Sequence, residues 1–186
     1  MELLDWFQKG MRFQEYIQGM KVNKDEMMGI YDRFSLSDKE ITRLADFKDT
    51  GMKVIVLTED WCGDAMLNNP ILLKIADEIG MEVRFVLRDR NLELMDQYLT
   101  NGTSRAIPIY IIIDKEGKEK AVWGPRAIQV QEMVNNERKK LPTQDAEDFK
   151  DKQMSMYRRL TASYQEDEKI WHSVADSIIE AIVSGK

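Results

Sequence analysis

The stretch VIVLTEDWCGDA, Val54 to Ala65, decides how this chain is read. Its first half is short, apolar and β-branched, the pattern of a strand buried on both faces. Its second half turns polar at Glu59 and Asp60 and leads into MLNNPILLKIADEIG. There Met66, Ile71, Leu72, Ile75, Ala76 and Ile79 recur at helical spacing, and Gly80 stands where a helix would end. Cys62, the single cysteine of the chain, lies at this strand-to-helix junction. A sulfur placed there faces free backbone N–H groups and the positive end of the helix dipole, and both favour a thiolate. A dithiol site would carry a second cysteine three residues on, and that position is Ala65.

Working outward, EVRFVLR (Glu82–Arg88) predicts a second strand and NLELMDQYL (Asn91–Leu99) a short helix. PIYIIID (Pro108–Asp114) predicts a third strand, which KEGK turns into a fourth, KEKAVWG. A helix is expected from Arg126 to Leu141, stopped by Pro142. The order β-α-β-α-β-β-α indicates an α/β sandwich with two parallel strands followed by an antiparallel hairpin. Upstream, apolar spacing predicts one helix over 3–19. A second starts at SDKE, where Ser37 and Glu40 form a capping box. Pro70 should kink the helix that contains it. Beyond Pro142, one long or two shorter amphipathic helices are expected, with a stripe through Met156, Leu160, Ile170, Val174 and Ile178. The expectation is one domain over 1–186: a core over about 37–141, an N-terminal helical extension 1–36 and a C-terminal one 142–186.

The 186 residues are 43% hydrophobic and 32% charged, the balance of an ordinary globular protein. A net charge of −6 argues against a nucleic-acid surface and against an anionic membrane. No apolar run reaches bilayer length, and the first residues lack the pattern of a secretion signal. The expected location is the cytoplasm, where a lone thiol stays reduced. With one cysteine and one histidine, His172, no metal-ligand set is evident, and no cofactor is called for. His172 reads as a surface or packing residue. The oligomeric state stays open.

Three segments together, VIVLTEDWCGDA, SRAIPIYIIID (Ser104–Asp114) and KEGKEKAVWG (Lys115–Gly124), resemble the thioredoxin superfamily over about 37–141. More narrowly, the chain resembles bacterial thioredoxin-like proteins with added terminal helices. The resemblance implies a thioredoxin-like α/β fold with a mixed sheet. It matches Cys62 to the nucleophile and Pro108 to the cis proline facing it. The Ile107-Pro108 bond is also a candidate cis bond on local grounds, beside a backbone edge that an extended peptide could pair with. Trp61 suits shielding the sulfur and touching a substrate, and Gly63 lets another chain come close. Against the family pattern, Ala65 replaces the resolving cysteine, Asp64 stands where thioredoxins have proline, and Val56 occupies the place of a buried acid.

Two functions compete. A monothiol enzyme would use Cys62 to exchange with a protein disulfide or mixed disulfide, with a low-molecular-weight thiol as second substrate. A non-catalytic module would keep the groove at Trp61, Gly63, Ile107 and Pro108 for a peptide or protein partner. Peroxide reduction ranks third, for want of a threonine two or three residues before Cys62 and a matched arginine. The flanking Glu59, Asp60 and Asp64 would raise the thiol pKa, and Arg105 and Arg126 would oppose them if their loops converge on the site. Asp64, in the first turn of a helix, is expected to favour the helix dipole, with a role as proton acceptor for the leaving thiol as the alternative.

Overall fold

The computed structural model describes residues 2–185. Four strands form one sheet in the order β2-β1-β3-β4. They are β1 (Lys53–Thr58), β2 (Glu82–Leu87), β3 (Ile109–Ile113) and β4 (Glu119–Trp123). β1 is parallel to β2 and antiparallel to β3, and β3 is antiparallel to β4. This is the thioredoxin-like mixed sheet. Val54 to Leu57 and Ile109 to Ile113 are all buried, which explains why these strands read as continuous apolar runs rather than alternating ones.

The N-terminal segment departs from the single helix expected over 3–19. It forms α1 (Leu3–Lys9) and α2 (Phe13–Gly19). Between them Met11 adds an isolated antiparallel bridge to the free edge of β2, with two 2.8 Å backbone bonds to Phe85. Gly10 permits it, since a Cβ there would lie 2.6 Å from the Cβ of Arg84. A further helix, α3 (Lys24–Arg33), follows; the sequence reading did not assign it, although Met27, Ile30 and Phe34 carry its spacing. All three are buried.

The capping box forms as expected at the start of α4 (Asp38–Leu44). The Ser37 N–H donates to the Glu40 carboxylate at 2.6 Å, and the Ser37 hydroxyl accepts from the Glu40 N–H. A 3-10 turn over Ala45–Phe47 ends that segment. α5 (Gly63–Ile79) continues through Pro70, whose ring nitrogen cannot donate to the carbonyl a turn before it. α6 is short (Leu92–Met95), and α7 runs from Ile128 to Arg138. The C-terminal segment forms two helices, α8 (Phe149–Glu166) and α9 (Glu168–Ser184), separated at Asp167, which caps α9 through the Lys169 N–H.

Both terminal regions share the main core. Tyr16, Met27, Ile30 and Phe34 from the first, and Met156, Leu160, Trp171, Val174 and Ile178 from the second, pack in one cluster with α5 and one face of the sheet. A smaller cluster on the other face joins Trp6 and Phe7 to Ile55, Leu57, Cys62 and Ile107. Among the described residues no helix is long and apolar enough to cross a membrane.

Candidate functional site

Cys62 is the N-cap of α5, as its place in the sequence predicts. Its side chain is enclosed, with 8% of the residue exposed. The thiol donates to the carbonyl oxygen of Ile107, with Sγ 3.4 Å from it. The Ile107-Pro108 peptide is cis, as expected. Ile107 and Pro108 are buried. Gly124 holds the end of β4 against the same loop: its φ is +129°, and a Cβ there would collide with the Pro108 carbonyl.

Burial pushes the Cys62 thiol up to about 11, and the neighbouring Asp64 carboxylate pushes in the same direction. The N–H groups of Ala65 and Asp64 and the guanidinium of Arg126 oppose this. Both influences foreseen in the sequence are therefore at work, and desolvation outweighs the helix terminus.

The arginines divide. Arg126 reaches the site and binds Asp64 through two nitrogens, at 2.6 and 2.9 Å. Arg105 does not: it forks onto Asp96 at 2.7 and 2.9 Å, correcting the expectation that it would offset the acids beside the sulfur. Asp64 does more than face the helix dipole. Its carboxylate accepts from Arg126 and, at 3.3 Å, from the Tyr164 hydroxyl, so it ties α5 to the loop before α7 and to α8. Burial raises the Asp64 carboxyl above its ordinary value against the pull of Arg126.

The other two acids are occupied elsewhere. Glu59 accepts from the Asp89 N–H at 2.8 Å, and Asp60 accepts from the N–H of Lys21 at 2.7 Å. Asn23 donates to the Asp60 carbonyl, fixing the loop between α2 and α3 against the site. His172 is half-buried against Glu40 at 2.9 Å, remote from this constellation. Beneath the site a buried polar chain runs from Tyr110 to Asn69 to Thr58, with bonds of 2.9 and 3.1 Å.

Trp61 lies at the rim rather than over the sulfur. It is 50% exposed, and the Arg88 guanidinium stands 4.9 Å from its ring. Gly63 does admit another segment, and that segment is the chain's own α8: a Cβ at Gly63 would sit 3.1 Å from Cγ2 of Thr161. Between α8 and the start of α5 lies a cavity of about 420 Å³. Cys62, Asp64 and Arg126 line it together with Trp61 and with Tyr157 and Thr161 of α8. Sequence reasoning missed Val22, Asn23, Tyr157, Thr161 and Tyr164. Only the amphipathic stripe through Leu160 signalled that this helix packs on the core at all.

Two solved structures resemble the whole chain. A protein of unknown function from Pseudomonas aeruginosa aligns with a TM-score of 0.72 at 16% identity, over 100% of this chain and 99% of that one. An HIV epitope scaffold aligns with a TM-score of 0.70 at 15% identity, over 98% of each chain. At these identities the likeness concerns the fold. No curated protein matches the sequence. A family model described as thioredoxin matches residues 10–150.

Proposed function

Because the chain belongs to the thioredoxin family, we propose that it is a thioredoxin-fold binding module that uses the groove at Trp61, Ile107 and Pro108 for an extended segment of a protein partner. The observation that carries this reading is the state of Cys62. Its sulfur is enclosed, its proton is directed to the Ile107 carbonyl, and Ala65 stands where a resolving thiol would be. A thiol held up to about 11 contributes almost no thiolate at neutral pH, and thiol–disulfide exchange requires the thiolate. Two features beside the sulfur support a recognition role. Trp61 is exposed, and the N–H groups of Ala106 and Ile107 carry no hydrogen bond among the described residues. An extended peptide can pair with such an edge while the indole supplies apolar contact. We place this binding in the cytoplasm, where a single thiol stays reduced.

The test is affinity for a peptide selected against the purified protein. Cys62→Ser should leave Kd within about twofold. Trp61→Ala should weaken it by about tenfold, the scale of a buried aromatic anchor. Loss of binding in Cys62→Ser, or a mixed disulfide formed by the wild type under mild oxidation, would overturn the reading.

Monothiol exchange is the second reading. The N–H groups of Ala65 and Asp64 at the sulfur favour it, as does the nearby Arg126, since all three stabilise a thiolate. In that cycle the Cys62 thiolate attacks a protein–small-thiol disulfide. The small thiol passes to Cys62 and the protein thiolate leaves; a second small thiol, as its thiolate, then attacks the bound one, and the two depart as a small-molecule disulfide while the Cys62 thiolate is restored.

A further inference from the structure

A second cavity, of about 320 Å³, lies where the chain leaves β1 for the Cys62 loop. Met11, Tyr16, Met20 and Leu87 give it apolar surface, and Glu59, Asp60 and Asp89 bring three carboxylates. Two of these acids are answered from within the chain. One oxygen of Asp60 accepts from the N–H groups of Lys21 and Val22, and Asp89 accepts from the Arg88 guanidinium.

Glu59 is not answered in this way. It is the most enclosed of the three, with 8% of the residue exposed. Its hydrogen bond from the Asp89 N–H uses Oε1 alone. Among the described residues Oε2 receives no hydrogen bond and the carboxylate forms no ion pair. Burial raises the Glu59 carboxyl above its ordinary value, and the Asp89 N–H and the Arg88 charge do not offset it. A buried carboxylate without a counter-ion is rare and costly, and an incoming cation relieves it. The chain's own cations do not fill the role. Arg88 is committed to Asp89, to the Arg105 carbonyl and to the Trp61 ring. Lys21 and Arg90 line the same cavity, but both are exposed and neither forms an ion pair among the described residues.

We propose that this cavity receives a lysine side chain of the protein partner, with its ammonium on Oε2 of Glu59 and its methylenes along Met11, Tyr16, Met20 and Leu87. A lysine stem covers apolar surface while its head stays charged. A guanidinium fork matches a carboxylate through both oxygens, and only one is free here, so the point charge of an ammonium fits better. A metal ion does not suit the site: the described residues include no group of side chains arranged to hold one. The assignment depends on the binding reading above, which supplies the partner, and adds a specificity to it. Glu59 precedes Trp61 by two residues, at most about 7 Å of backbone. Arg88, next to Asp89, stands against the Trp61 ring. One extended segment can therefore lay a side chain on the indole and a lysine in the cavity.

Two probes test this. The first is n-butylamine, the lysine side chain without a peptide, with n-butanol as the neutral control. In amide NMR spectra at neutral pH, n-butylamine should shift the Asp89 N–H saturably in the wild type and not in Glu59→Gln, and n-butanol should shift it in neither. Glutamine keeps an acceptor for the Asp89 N–H. The thermal midpoint of the variant should therefore match or exceed that of the wild type, because the lost charge has no partner in the fold. An Asp89 amide that n-butylamine leaves in place, or a midpoint lowered by more than about 4 °C, overturns the proposal. The second probe is a peptide selected against the purified protein. Replacing its lysine by norleucine should weaken binding about tenfold in the wild type and less than about twofold in Glu59→Gln. An equal loss in both proteins overturns the proposal. If the selected peptides depend on Trp61 but carry no such lysine, the cavity assignment falls and the binding reading stands. If n-butylamine shifts Asp89 but no peptide depends on Trp61, the binding reading falls and the cavity still takes an ammonium.

Discussion

At the scale of single residues, Asp64 rather than Cys62 organises the site. The family resemblance places a proline here, and the carboxylate that replaces it binds Arg126 and Tyr164 from two other elements. Both members of the ion pair are largely buried, with 12% and 17% of their side chains exposed. Removing one leaves the other charged and desolvated, so Asp64→Ala should cost about 3–5 kcal/mol in urea unfolding. Replacing both by apolar groups, Asp64→Leu with Arg126→Met, should cost less than the single change, because no charge is then stranded. A double variant as damaged as the sum of its parts would show that the two side chains are not coupled, and would contradict the account. The sequence offers Arg126 only as one of two arginines able to oppose the acids, and gives no sign of Tyr164. An aspartate in the first turn of a helix has a sufficient local reason to be there, and its partner lies 62 residues away.

At the scale of elements, the sheet and the capping box could be read in advance because their causes are local. Strand runs such as PIYIIID are apolar and β-branched throughout, and Ser37 and Glu40 satisfy each other within one turn. The split between α1 and α2 could not be read, because the bridge from Met11 to Phe85 that causes it joins distant segments. Glu40 shows local and distant causes acting together. It caps α4 and also contacts His172 of α9. Burial alone would raise its pKa, but the bonds from His172 and from the Ser37 N–H and hydroxyl outweigh burial and hold it below the ordinary glutamate value. A lowered folded-state pKa means that the carboxylate stabilises the fold above the unfolded value of 4.5, and that this contribution fades as pH falls through the folded value. Glu40→Gln should therefore destabilise by about 1–3 kcal/mol at pH 7. The gap from wild type should narrow as pH drops below the ordinary glutamate range. Urea titrations at pH 7 and at acid pH measure it, and a gap independent of pH would contradict the assignment.

At the scale of the whole molecule, the terminal helices are structural partners of the sheet. Met27, Ile30 and Phe34 of the N-terminal region and Trp171, Ile178 and Ile179 of α9 lie in the cluster that contains α5. A fragment covering 37–141 keeps every strand but loses these side chains, Met11 at the edge of β2, and Tyr16, which stacks on Phe85 at 4.4 Å. Domain stabilities of about 5–15 kcal/mol do not survive such a loss, so the fragment should show no cooperative thermal transition. A cooperative transition would make the helices dispensable additions. The sequence showed where the thiol stands. It did not show what encloses it, since Thr161 and Tyr164 return to Gly63 and Asp64 from almost 100 residues later in the chain. That enclosure is the central claim, and the rate of Cys62 alkylation by iodoacetamide as a function of pH tests it most directly. With one cysteine in the chain the signal belongs to one sulfur, and denatured protein supplies a reference near 8.5. The account predicts slow alkylation at neutral pH and a midpoint well above that reference, toward about 11. A midpoint below about 7.5 would mean that the helix terminus outweighs burial, and the protein would then be a thiol enzyme rather than a binding module.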